Sequence, residues 1–187
     1  MDALVTAFVA AALGEWGDKT QLVVALLAAR SGRPAAVLAG LFVAAALSCG
    51  AAAFAGALVA ETITIRAMTL LVAVALLFAG IAGLIRRKPP SIGSARTPAL
   101  LAAIILCLAA ELGDRTQFLT FALAGRFDSP ALAGAGATAG MLAACVPAAL
   151  LGAQLQSLVP VRAIRIGGAA LFLITGFIVA VNALRLA

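Results

Sequence analysis

The chain has no histidine and no tyrosine, one tryptophan, three cysteines and seven acidic residues among 187. Without histidine, and with no nucleophile beside a recognisable base, an enzyme is the least supported class. The cysteines (Cys49, Cys107, Cys145) lie inside apolar runs and show no metal-site spacing. Only 11% of residues are charged against 65% hydrophobic, and the mean hydropathy is +1.19. A soluble domain of this size would lack the polar residues to cover its surface, so an integral membrane protein is expected. The formal net charge of +6 does not mark a nucleic-acid partner. The basic residues lie at the ends of apolar segments, the ordinary signal of membrane topology.

Against this apolar background one stretch is written twice: Glu15-Trp16-Gly17-Asp18-Lys19-Thr20-Gln21 and Glu111-Leu112-Gly113-Asp114-Arg115-Thr116-Gln117. The offset is 111 − 15 = 96, and it also pairs Arg30 with Arg126, Pro34 with Pro130, Gly40 with Gly136 and Cys49 with Cys145. Gly56 with Gly152, Arg66 with Arg162 and Gly80 with Gly176 follow without a gap, which identifies an internal duplication. A membrane span needs about 20 apolar residues. Six runs meet that length, roughly at 3–29, 35–60, 66–85, 99–125, 130–158 and 162–184. The expected fold is an all-α integral membrane protein, with a first three-helix repeat at 1–85, a basic proline-rich linker at 86–98 and a second repeat at 99–187. Three helices is an odd number, so the second repeat enters the membrane from the opposite side. The first run follows Met1-Asp2 without a basic leader and is expected to be a retained helix.

Alternate loops carry unequal positive charge. Arg30, Arg33, Arg86, Arg87, Lys88, Arg96, Arg162 and Arg165 fall on one side, and Arg66, Arg126 and Arg185 on the other. Eight against three predicts a cytoplasmic linker and both termini outside.

Asp2, Glu61 and Asp128 fall at the terminus or in loops, whereas Glu15, Asp18, Glu111 and Asp114 fall at membrane depth. Charges there are expensive, so these four acids are functional candidates. On an ideal helix Glu15 and Asp18 share a face, as do Glu111 and Asp114. Four carboxylates from two inverted helices form a hard-oxygen site suited to Mg²⁺, Ca²⁺ or Mn²⁺. Thr20, Thr116, Gln21 and Gln117 are candidate neutral oxygen ligands, although Thr20 and Gln21 leave the acid face unless the helix bends at Gly17. With Lys19 and Arg115 the charge sums to −4 + 2 = −2. Metal and protons then compete for the same oxygens, which predicts coupled exchange. A structural alternative pairs Glu15 with Lys19, and Glu111 with Arg115, as i, i+4 salt bridges within each helix. Cys49 and Cys145 are read as packing thiols, Gly134, Gly136 and Gly140 as a close helix contact, and Pro147 as a kink without a counterpart at Ala51.

The doubled E-x-G-D-(K/R)-T pattern resembles the signature of the Gdt-type cation–proton exchanger family. That resemblance implies Mn²⁺/H⁺ or Ca²⁺/H⁺ antiport, with Glu15, Asp18, Glu111 and Asp114 as ligands and Thr20 and Thr116 beside them. It implies a transported ion and no cofactor. The short linker favours a bacterial inner-membrane protein whose task is Mn²⁺ export. Two rivals remain at this stage. One is an exporter of small cationic organic solutes, disfavoured by the scarcity of tyrosine and tryptophan for a cation–π cage. The other is a non-transporting assembly subunit with the motifs acting as helix glue. Oligomeric state is left open.

Overall fold

The computed structural model describes residues 1–85 and 97–184. Among them there is no strand, and eight helices of at least 13 residues carry the fold. These are α1 (Asp2–Glu15), α2 (Lys19–Ser31), α3 (Pro34–Ala60), α4 (Ile65–Leu84), α5 (Ala99–Glu111), α6 (Arg115–Phe127), α7 (Pro130–Leu151) and, after a short α8 (Leu155–Leu158), α9 (Val161–Leu184). Their starts follow local chemistry. Pro34 and Pro130 occupy the first turns of α3 and α7, where a missing N–H costs nothing. Thr64 caps α4, its hydroxyl accepting from the Ala67 N–H at 3.2 Å. Four helices, α3, α4, α7 and α9, are long and apolar enough to cross a membrane, and α5 is a shorter apolar helix. Large apolar side chains such as Phe42, Leu47, Phe54, Ile81 and Phe177 point outward from these helices, as a lipid-facing surface requires.

The elements repeat at the offset of the sequence. α1 and α5 end at Glu15 and Glu111, α2 and α6 begin at Lys19 and Arg115, and α4 and α9 begin at Ile65 and Val161, each 96 residues apart. Packing repeats as well: α1 lies on α7 as α5 lies on α3, α2 touches α7 as α6 touches α3, and α4 pairs with α9. Glycines make these contacts close. A Cβ on Gly40 would stand 2.6 Å from the Leu100 carbonyl oxygen, and its mate Gly136 meets the Leu4 carbonyl in the same way. Backbone therefore packs on backbone, the dispersion-driven contact that replaces hydrophobic burial in lipid. This bears out the close contact expected at Gly136 and Gly140.

α4 and α9 run antiparallel and are tied at both ends by arginine. Arg66 donates to the Ala183 and Leu184 carbonyls at 2.6 and 3.1 Å, and Arg165 donates to the Ile85 carbonyl at 2.8 Å. Each guanidinium thus satisfies carbonyls that a helix end leaves unpaired.

Two expectations are corrected. The first and fourth runs are not single helices: each breaks in the middle of the motif, at residues 16–18 and 112–114. Gly17 and Gly113 stand at φ +71° and +69°, a left-handed conformation that glycine alone adopts without cost. The fifth run also ends early, since α7 continues only four residues past Pro147 and Gly152 turns at φ +52°. Its mate α3 runs on to Ala60. Of the basic linker expected at 86–98, residues 86–96 lie outside the described residues, as does Arg185.

Candidate metal centre

Breaking the helix inside the motif changes what its residues can reach. Glu15 closes α1 and Asp18 caps α2, so the two acids leave the common helix face expected of them. Glu111 and Asp114 stand in the same relation to α5 and α6. The cap positions give both aspartates a structural share, because the positive end of the helix dipole favours a carboxylate there. The Asp114 carboxylate accepts from the Thr116 N–H at 3.5 Å.

The two breaks lie against each other, and their side chains bond across the halves. The Thr20 hydroxyl donates to Glu111 Oε1 and the Thr116 hydroxyl to Glu15 Oε1, both at 2.5 Å. Lys19 Nζ lies 3.1 Å from Asp114 Oδ1, and Arg115 Nη2 lies 3.6 Å from Asp18 Oδ1. The in-helix pairs Glu15 with Lys19 and Glu111 with Arg115 are therefore replaced by pairs between halves. On an unbroken helix the fourth residue on would be the neighbour; the glycine turn carries it to the other motif instead. Arg115 also donates to the Gly14 carbonyl, at the negative end of α1.

All four acids are buried, Glu15 and Glu111 completely. Carboxylate oxygens of Glu15, Asp18 and Asp114 lie within 4.8 Å of one another, close enough to share one ion. Glu111 stands outside that trio, bound through Oε1 to Thr20. The second oxygens, Glu15 Oε2 and Glu111 Oε2, find no hydrogen-bond partner among the described residues. Buried carboxylate oxygens left bare are costly unless a proton or a cation meets them. Thr20 and Thr116 sit beside the acids with their hydroxyl protons committed to Glu111 and Glu15, which leaves each oxygen its acceptor capacity. Gln21 and Gln117 brace the turns: Gly17 N–H donates to Gln21 Oε1 at 2.9 Å and Gly113 N–H to Gln117 Oε1 at 3.2 Å. Gln21 also donates to the Ala144 carbonyl at 2.7 Å, so both ends of its amide are engaged.

The thiols stand near this centre without joining it. Cys49 lies 3.5 Å from the sulfur of Met141, and all three cysteines are buried and free. A cavity of about 660 Å³ reaches Asp114 and Gln117 between α3, α4 and α6. Phe78, Phe118 and Phe121 line it, with Phe118 ring centroids 6.2 and 6.4 Å from the other two. Tyrosine and tryptophan are absent from this lining, and phenylalanines supply its aromatic surface. Sequence reasoning missed the Gly14 and Ala144 carbonyls, since backbone acceptors carry no residue signature.

The profile of the family described as "Divalent cation/proton antiporter GDT1" matches residues 3–90 and 99–186. The two segments are themselves 96 residues apart, since 99 − 3 = 96 and 186 − 90 = 96. A Vibrio cholerae protein named "Putative manganese exporter" is 34% identical over 179 residues, covering 93% of this chain and 88% of that protein. No solved structure matches the chain. With the profile matched through both halves, the chain is a multi-pass membrane protein and belongs to the GDT1 family of divalent cation/proton antiporters.

Proposed function

We propose that the protein exports Mn²⁺ in exchange for protons, with Ca²⁺ a second cation the site accepts. The observation that carries this is the buried meeting of Glu15, Asp18 and Asp114 at two facing helix breaks, with Glu111 held beside them. A hard divalent cation takes the oxygens of Glu15, Asp18 and Asp114, with Thr20 and Thr116 as neutral ligands. Gln117, on the cavity wall, meets the ion on its way out, and Gln21 holds the first turn in shape. When the ion leaves, protons take its place on the bare glutamate oxygens, because two or more adjacent buried carboxylates are too costly to leave charged together. Occupancy by one excludes the other, and that exclusion is the coupling. The name of the Vibrio cholerae relative supports manganese over calcium as the physiological cargo.

The membrane plan belongs to the same proposal. α1 with α2, and α5 with α6, form two broken spans, which with α3, α4, α7 and α9 make six. The halves lie inverted in the bilayer, a plan supported by the antiparallel α4/α9 pair and the crossed Thr–Glu bonds. Half-helix ends at mid-membrane are where inverted-repeat transporters bind ions. Both termini face outward and the linker lies in the cytoplasm of a bacterial inner membrane, following the eight-to-three bias of basic residues.

The test is proton flux in proteoliposomes on adding Mn²⁺, Ca²⁺ or Mg²⁺, for wild type, Glu15→Gln and Glu111→Gln. Mn²⁺-driven proton release lost in both variants is the expected result; metal movement without protons overturns the exchange. The three phenylalanines beside Asp114 favour one rival, export of small organic cations, through cation–π contact. Lysine transport, or strong competition by lysine against Mn²⁺, in the same vesicles would select it.

A further inference from the structure

The two motifs are alike in sequence and unlike in cover. A Cβ on Gly17 would stand 3.1 Å from Arg165 Cδ and 3.2 Å from Val161 Cγ1, so the first turn of α9 lies on the first break. At Gly113 nothing stands within 4 Å. The residues that would cover it by the repeat are Ile65 and Thr69, since 161 − 96 = 65 and 165 − 96 = 69. They are elsewhere: Ile65 is 60% exposed and the Thr69 hydroxyl donates back to the Ile65 carbonyl at 2.8 Å. One other pair of mates divides the same way: Gln21 is buried while Gln117 lines the cavity. The bases divide the opposite way, Lys19 30% exposed against 3% for Arg115, because each reaches across to the aspartate of the other motif.

We propose that the first turn of α9 is a closed gate over the first motif, latched by Arg165, while the second motif is the open entrance to the carboxylates. This rests on reading the carboxylate centre as the transport site. Arg165 is suited to the latch because it does two things at once. Its methylenes cover Gly17 while its guanidinium holds the Ile85 carbonyl at the end of α4. Its mate Thr69 is too short to do either, so the gate over the second motif closes without a latch. The two gates are unequal, and the resting protein keeps the Gly113 side open. Arg162 and Arg165 lie on the cytoplasmic side of the proposed topology, so the open entrance faces away from the cytoplasm.

The experiment labels single cysteines with a membrane-impermeant maleimide. Phe121→Cys reports the open cavity, and Ala25→Cys, its mate (121 − 96 = 25), reports the equivalent position in the first half. The unsubstituted protein, whose three cysteines are buried, sets the background. Phe121→Cys is expected to react about tenfold faster than Ala25→Cys, the ratio of a gate mostly shut. Adding Arg165→Thr, which copies the other half, is expected to speed Ala25→Cys about fivefold and slow Phe121→Cys. Arg165→Lys, which keeps a donor of similar reach, is expected to change both less. Equal labelling of the two reporters, no labelling at Phe121→Cys, or no response to Arg165→Thr overturns the gate. Labelling needs no metal, so these outcomes are read separately from Mn²⁺-driven proton flux in the same preparations. A silent flux assay with unequal labelling overturns the exchange and keeps the gate.

Discussion

The turns at Gly17 and Gly113 have the same backbone angle, the same glutamine brace and the same crossed partners, yet one is covered and the other bare. The difference lies outside the motifs. α9 touches α1, which ends at the first break, while its mate α4 packs on α6 and makes no comparable contact with α5. Chemistry at the centre is duplicated, and access to it is not. A motif repeated in sequence therefore fixes the same side chains twice but leaves the surrounding helices free to differ.

The comparison breaks first at the acids. If the two glutamates are equivalent in chemistry, Glu15→Gln and Glu111→Gln each lower Mn²⁺-driven proton flux by about 100-fold or more, as loss of a charged ligand at a buried ion site does. A large loss at one and a small loss at the other would make the halves chemically unequal. Next come the counter-ions. Arg115→Ala removes the buried cation beside Asp18 and is expected to cost about 3–5 kcal/mol of stability. Lys19→Ala, at a partly exposed pair, is expected to cost about 1 kcal/mol. Thermal melts in detergent check the order, and equal losses would contradict the unequal burial.

The threonines sharpen the symmetry. Thr20→Val and Thr116→Val each remove one crossed hydrogen bond to a buried carboxylate and are expected to cost about 1–3 kcal/mol, alike within error. A double-mutant cycle with Glu111→Gln and Glu15→Gln assigns each loss to the crossed partner. The smallest effect separates the turns themselves. Gly17→Ala and Gly113→Ala both force alanine into left-handed backbone, about 1 kcal/mol each. Gly17→Ala adds a tight contact with Arg165 and Val161 and should melt at the lower temperature.

Much of this was legible in the chain. The 96-residue offset, the isolation of Glu15, Asp18, Glu111 and Asp114 in apolar runs, and the long helices α3, α4 and α9 follow from composition and spacing. The breaks were not, because hydropathy reads through Gly17 and Gly113 as if they were helix. Missing the turn led to the wrong salt-bridge partners, since the i, i+4 rule holds only while the helix continues. The cover over Gly17 was invisible for another reason. Val161 and Arg165 lie more than a hundred residues away, and nothing in their own neighbourhood marks them as neighbours of a motif.

The crossed threonine bonds carry one more consequence, for descent. Each glutamate is held by a hydroxyl that the other half supplies, so neither half owns a finished centre. An ancestor encoding one half would have had to meet a second copy of itself to form the same crossed bonds. After fusion, a change in either threonine is felt in the opposite repeat. The paired motifs are thus bound to drift together while their surroundings are at liberty to diverge.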